Sequence, residues 1–95
     1  MERSDIRNLV VKVVEEIQTQ SGRPCAAIDD NIRPIGDLDG FDSLNAEEAT
    51  SMLSERLGVE IEENPFVDGD NPRALRLQQV VDRLHRIIAK AEVKK

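Results

Sequence analysis

Apolar residues near the N-terminus recur at intervals of three and four positions, which places them on one face of a helix. These residues are Ile6, Leu9, Val10, Val13, Val14 and Ile17. Ser4 or Asp5 suits the N-cap of this helix, and Ser21-Gly22 interrupts the pattern at its other end. The sequence therefore predicts a first amphipathic helix that ends before Ser21.

The C-terminal part of the chain shows a second clear stripe of this kind, while its basic residues fall mostly on other faces. The stripe consists of Leu77, Val80, Val81, Leu84, Ile87 and Ile88. Asn71-Pro72 would suit the N-cap and first position of an early helix start. Pro72 can equally close the preceding loop and leave the start near Arg76. We expect residues 92–95 to fray.

Between these two stripes, the second helix in chain order is predicted from Asp42 or Ser43 to near Gly58. With Asp42 as the N-cap, Phe41 and Ala46 occupy the two positions of a hydrophobic staple. The predicted inward face is thin and consists of Ala46, Ala49, Thr50, Leu53 and Leu57. The predicted outward face carries Glu47, Glu48, Ser51, Glu55 and Arg56, with Leu44 and Met52 as apolar residues that reach the surface.

Two connections lack helical or strand periodicity. Residues 22–42 contain prolines, glycines and many Asp or Asn residues, and four apolar side chains can pin this long loop: Ile28, Ile32, Ile35 and Leu38. Residues 61–75 are also irregular, with a short helical turn expected around Pro65-Phe66-Val67. The pattern favours an all-α bundle that forms one domain over residues 1–95, with a core of about residues 4–90.

Charge is distributed unevenly along the chain. The formal net charge is −6, but residues 28–63 hold eleven acids against only Arg33 and Arg56. An acidic field of this kind attracts basic partners and repels nucleic acid. Cys25 is the only cysteine, so no internal disulfide can form and a cytoplasmic location is expected. No apolar run approaches the ~20 residues that span a bilayer, so no membrane partner is expected.

Ser43 lies at the predicted start of the middle helix and is the most informative residue of the chain. Nucleophilic catalysis would need a base within hydrogen-bond reach, and the only histidine is His85 in the last helix. Gly40-Phe41-Asp42-Ser43-Leu44 is not a nucleophile elbow either, because no glycine stands two residues after the serine. The sequence therefore favours a serine that is not catalytic, and a protein that is not an enzyme.

A calcium site is the next alternative, because Asp37, Asp39 and Glu48 match positions 1, 3 and 12 of an EF-hand loop. The match fails at its centre, where Phe41 takes position 5 and Asp42 takes the place of the sharp-turn glycine. With one histidine and one cysteine, a zinc site is not expected.

The combination of these segments resembles the acyl carrier protein family. The resemblance covers roughly residues 6–88 and depends on Asp42-Ser43-Leu44 at the start of an acidic helix, after a long Asp/Gly loop. Leu57-Gly58-Val59-Glu60-Ile61 follows that helix, and the segment Leu77 to Leu84 follows later. Such a carrier is a four-helix bundle whose short third helix would lie within residues 62–72.

The resemblance implies that Ser43 carries a covalent 4′-phosphopantetheine arm. A phosphopantetheinyl transferase would install the arm from coenzyme A, and its thiol would hold acyl groups as thioesters. The carrier, expected to be a monomer, would present them to acyltransferase, ketosynthase or acyl-ligase type enzymes of fatty-acid, polyketide or related specialised pathways. Residues expected to meet the basic docking patches of such partners are Asp42, Leu44, Glu47, Glu48 and Glu55.

The chain also departs from the family pattern. Glu47 stands where the family commonly has an apolar residue, Ser51 stands where partners often meet methionine, and Phe41 belongs to a segment with an extra residue. The small residues Ala46, Ala49 and Thr50 would either leave room for an acyl chain or allow closer helix packing; the second is favoured. Two alternatives remain: a peptidyl carrier, which usually has Gly-Gly before the motif, and a helical adaptor whose serine is never modified.

Overall fold

The computed structural model describes residues 2–23, 27–68 and 73–93 of the chain. They form four helical segments: α1 (Arg3–Gln20), α2 (Pro34–Asp37), α3 (Ser43–Leu57) and α4 (Leu77–Val93). Within these ranges there is no strand, only an isolated antiparallel bridge between Val67 and Ala74. The all-α fold class predicted from the apolar pattern is confirmed at this level.

Helix α1 is the centre of the bundle and packs against both α3 and α4. Its predicted stripe is buried, except that Leu9 is only partly buried. The helix begins one residue earlier than Ser4, with Glu2 at the N-cap, so the predicted cap at Ser4 or Asp5 is wrong. The carbonyl of Glu2 instead accepts the N–H groups of Asp5 and Ile6.

The C-terminus of α1 closes as predicted at Ser21-Gly22. Gly22 has φ of +70°, and its N–H donates to the carbonyl of Thr19, while the N–H of Arg23 donates to the carbonyl of Gln18 at 2.9 Å. This pair of bonds is a Schellman motif. It places Arg23 immediately after the turn that ends α1.

The long connection between α1 and α3 is held against the core by apolar residues, as predicted. Leu38 is buried, and Ile28, Ile32 and Ile35 are partly buried against the same cluster. The short α2 is a single turn, in which Asp37 donates its N–H to the Arg33 carbonyl and accepts the Arg33 N–H on its carboxylate at 2.7 Å. Cys25 lies outside the described residues.

Helix α4 begins at the later of the two predicted starts. The N–H groups of Leu77 and Gln78 donate to the carbonyls of Ile32 and Asp30, at 2.8 and 3.1 Å. The Gln79 side chain accepts the N–H of Arg76. The long loop therefore satisfies the free donors of the helix start, and every member of the predicted stripe is buried apart from the half-buried Ile87.

The short third helix expected within residues 62–72 is not found in residues 62–68; residues 69–72 lie outside the described ranges. Pro65 and Phe66 instead form a turn, in which the Asn64 side chain accepts the Phe66 N–H at 2.9 Å. The Phe66 ring is fully buried. Burial of this ring fixes the segment without a helix, because one large aromatic side chain anchors a short chain segment effectively.

Candidate functional site

Ser43 is the first residue of α3, and its side chain is exposed. Asp42 is the N-cap, as predicted, and its carboxylate accepts the N–H of Asn45 at 3.1 Å. The Asn45 side chain in turn accepts the N–H of Asp42 at 3.3 Å, which completes a reciprocal capping box. The helix start is thus defined by side chains on both sides of Ser43.

Two apolar residues flank this cap and point into the core. Phe41 is 3% exposed and Ala46 is fully buried, as expected for the two positions of a hydrophobic staple. The Phe41 ring packs at a tilt against Phe66, with ring centroids 5.9 Å apart. Phe41 and Ala46 thus anchor the chain on both sides of the cap. Asp42, Ser43 and Leu44, which lie between them, are exposed to solvent.

The backbone at Ser43 is suited to a bound phosphate group. The N–H groups of Asn45 and Ala46 are taken by the side chain and carbonyl of Asp42. Those of Ser43 and Leu44 have no acceptor among the described residues. Free donors and the positive end of the helix dipole favour negative charge at this position.

The surface around Ser43 combines one apolar side chain with several acids. Leu44 is 72% exposed and is the one large hydrophobic residue with high exposure in the described ranges. The carboxylates predicted to recognise partners are all exposed: Asp42, Glu47, Glu48 and Glu55. Ser51 and Arg56 are exposed on the same helix. The structure thus places Leu44 and these acids on the solvent side of α3, where a partner can reach them.

No catalytic partner contacts Ser43 in the described part of the chain. Its hydroxyl makes no hydrogen bond to another described side chain, and His85, half-buried on α4, is not joined to it. The described residues also contain no group of three His, Cys, Asp or Glu residues that could hold a metal. Asp37, the first residue of the calcium-like spacing, instead accepts the N–H of Arg33.

The small residues of α3 pack closely against the core. Ala46 and Ala49 are fully buried, and the Thr50 hydroxyl donates to the Ala46 carbonyl at 2.8 Å. A recess of about 550 Å³ lies elsewhere, between the segment after α3 and the end of α4, and includes Val59 and Ile87.

Sequence reasoning missed three residues that hold the start of α3. Gln18 and Arg23, at the end of α1, contact the residues that precede the cap, and Asn45 completes the cap. Asn45 had a readable signal, because it stands three residues after a predicted N-cap. The other two had none, since their partners are about twenty residues away.

None of the helices in the described residues has the length and apolar character needed to cross a membrane. In comparisons with known proteins, no protein-family model, curated protein or solved structure matches this chain significantly.

Proposed function

We propose that the protein is an acyl carrier whose Ser43 is the attachment point of 4′-phosphopantetheine. The observation that carries the proposal is the exposed Ser43 at the capped start of α3, next to exposed Leu44 and exposed acids. The sequence around this serine resembles the family motif along the same helix.

The chemistry of attachment fits the site. A phosphopantetheinyl transferase would join the Ser43 oxygen to the pantetheine-bearing phosphorus of coenzyme A, and the pyrophosphate bond would break as the nucleotide half leaves. The phosphodiester formed would carry one negative charge. The N–H groups of Ser43 and Leu44, which have no acceptor among the described residues, and the dipole of α3 favour that charge.

No base lies beside Ser43 among the described residues, which is compatible with this role. Ser43 is a substrate of another enzyme in the proposal, so the transferase would supply the base and the metal ion. The thiol at the end of the arm would then hold acyl groups as thioesters for acyltransferase, ketosynthase or acyl-ligase type enzymes.

The acids of α3 suit a carrier that binds several enzymes briefly. Exposed ion pairs contribute about 0–1 kcal/mol each, but together they raise the rate of encounter with basic surfaces. We assign Asp42, Glu47, Glu48 and Glu55 to this role, with Leu44 as the apolar contact beside the arm.

Intact mass measurement tests the proposal. The purified protein is incubated with coenzyme A, Mg²⁺ and a broad-specificity phosphopantetheinyl transferase. We expect a single phosphopantetheine addition in the wild type and in Ser51→Ala, a matched change at another exposed serine of α3. We expect none in Ser43→Ala.

An unmodified wild type, under conditions that fully modify a control carrier, would contradict the proposal. That result would favour the helical adaptor, in which the exposed surface of α3 serves protein binding alone.

A further inference from the structure

Arg23 joins the end of α1 to the segment that precedes Ser43. Its backbone is fixed by the N–H bond to the Gln18 carbonyl. Its guanidinium donates to the carbonyl of Gly40. The same Nη1 also lies 3.3 Å from the Asn45 side-chain oxygen. One cation therefore contacts both the residue two before the N-cap and the residue that closes the cap.

The contact with Asn45 ties Arg23 to the orientation of the cap. The Asn45 Oδ1 atom accepts from Arg23 and also from the N–H of Asp42, each at 3.3 Å. Two donors that meet at one atom require an oxygen there, so they fix which way the Asn45 amide faces. The opposite orientation would place the amide NH₂ against both donors.

Gly40 provides the space that this arrangement needs. Its φ is +67°, and a Cβ atom built on it would lie 2.5 Å from Nε of Arg23. The guanidinium therefore lies directly on the bare backbone of Gly40. A glycine is required both for the left-handed conformation and for this close approach.

Gln18 reinforces the same connection from inside the core. It is the one buried polar side chain in the described ranges, and its Nε2 donates to the Asp39 carbonyl at 2.7 Å. Gln18 in the last turn of α1 and Arg23, three residues after its end, thus hold two successive carbonyls, those of Asp39 and Gly40. Residue 41 then turns inward and residue 42 caps α3.

We propose that Arg23 is a positioning residue for Ser43, which fixes the turn at residues 39–42 and the cap of α3 in the one arrangement that a transferase accepts. This inference rests on the proposed function of Ser43. It adds that the presentation of the serine is determined by α1, through Arg23, and not by α3 alone.

Loss of Arg23 would change the kinetics of transfer by lowering the population of the arrangement that the transferase binds. Without Arg23 the turn would occupy several arrangements, and the transferase would bind only the competent fraction. The apparent affinity falls by that fraction, while the bound complex still reacts at its normal rate. Loss of Arg23 should therefore raise KM for the carrier and leave kcat nearly unchanged.

The test compares Arg23→Gln with Arg7→Gln in steady-state assays of the phosphopantetheinyl transfer. Both changes remove one positive charge, but Arg7 contacts Asp30 near the other end of α1. We expect KM to rise about tenfold in Arg23→Gln, with kcat within about twofold of wild type. A tenfold rise corresponds to a fall of the competent fraction to about one tenth. Arg7→Gln should match the wild type.

Arg23→Lys provides the rescue variant. Lysine keeps the charge but lacks the planar fork of donors that reaches two acceptors. We expect its KM to fall between those of wild type and Arg23→Gln. Equal KM values for Arg23→Gln and Arg7→Gln, or a loss in kcat at unchanged KM, would overturn the positioning role.

A second measurement on the unmodified protein separates this inference from the proposed function. Amide hydrogen exchange at Asp42 and Asn45 should be faster in Arg23→Gln than in the wild type or Arg7→Gln, with global unfolding measured in parallel. Unchanged exchange would overturn the contact's role even if Ser43 is modified. Failure of the wild type to accept phosphopantetheine, with faster exchange in Arg23→Gln, would contradict the proposed function alone.

Discussion

At the scale of single residues, two glycines of nearly equal conformation differ in what surrounds them. Gly40 has φ of +67° and Gly58 has φ of +66°. A Cβ atom at Gly58 would meet nothing within 4 Å, whereas one at Gly40 would collide with the Arg23 side chain. A comparison of the same substitution at Gly40 and Gly58 therefore distinguishes the cost of backbone strain from the cost of losing the Arg23 contact.

Alanine at these two positions should give different costs in stability. Gly58→Ala should lower the free energy of unfolding by about 1–2 kcal/mol, the cost of a left-handed conformation for an L-residue. Gly40→Ala should cost about 1 kcal/mol more, because the Arg23 guanidinium must also leave its acceptors. Urea unfolding followed by circular dichroism measures both, and equal costs would show that the Arg23 contact contributes little.

At the scale of the element, α3 separates its buried apolar residues from its exposed acids by face. Ala46, Ala49 and Leu53 are fully buried against the core, while the acids are exposed on the other side. The acids can therefore be changed without disturbing the packing of the helix. This separation allows a test of recognition that is independent of folding.

Charge reversal on α3 should slow transfer without unfolding the protein. Glu48→Lys and Glu55→Lys should each reduce kcat/KM for phosphopantetheinyl transfer by about three- to tenfold, because charge at a docking surface mainly changes the association rate. Glu15→Lys, at an exposed position of α1, is the control with the same change in net charge. Equal rates for the α3 and α1 variants would remove the acids from the recognition role.

The helix ends predicted best from sequence are those determined by residues close to them in the chain. The start of α3 at Ser43, its N-cap at Asp42 and its end before Gly58 follow from capping chemistry and a left-handed glycine. The start of α1 was less determined, since Ser4 and Asp5 are both good caps and the helix nevertheless begins at Arg3. Helix ends depend on small energy differences, which tertiary packing overrides.

The contacts that hold the site together could not be predicted from sequence. Gln18 looks like an ordinary polar residue of an amphipathic helix, yet it is fully buried because the loop returns across it to place the Asp39 carbonyl there. The partners of Arg23 are likewise set by the path of the same loop. The sequence predicts irregular structure over residues 61–75 with a short helical turn around Pro65-Phe66-Val67, but no local pattern indicates that the Phe66 ring packs against Phe41.

At the scale of the whole molecule, a small core supports an acidic surface. The buried cluster draws on all three long helices and on the segments between them, and Phe66 is its largest fully buried side chain. Leu44, in contrast, is 72% exposed and contributes to no core contact of this kind. Phe66 is thus a core residue, while Leu44 lies on the surface that we propose for recognition.

Removal of these two side chains should therefore affect different properties. Phe66→Ala should lower the free energy of unfolding by about 3–5 kcal/mol, as for other buried aromatic truncations. That is a large share of the ~5–15 kcal/mol typical of a domain. Leu44→Ala should change stability by less than about 0.5 kcal/mol and should slow phosphopantetheinyl transfer. Chemical denaturation and transferase kinetics on both variants measure this, and a destabilised Leu44→Ala would contradict the assignment of Leu44 to the recognition surface.

Localisation of the modified residue is the strictest test of Ser43 as the attachment site. The protein is treated with coenzyme A and a phosphopantetheinyl transferase, digested, and the peptides of α3 are fragmented by mass spectrometry. We expect the phosphopantetheine on Ser43 and on neither Ser51 nor Ser54. A modification at another serine, or none in a protein that is otherwise folded, would contradict it.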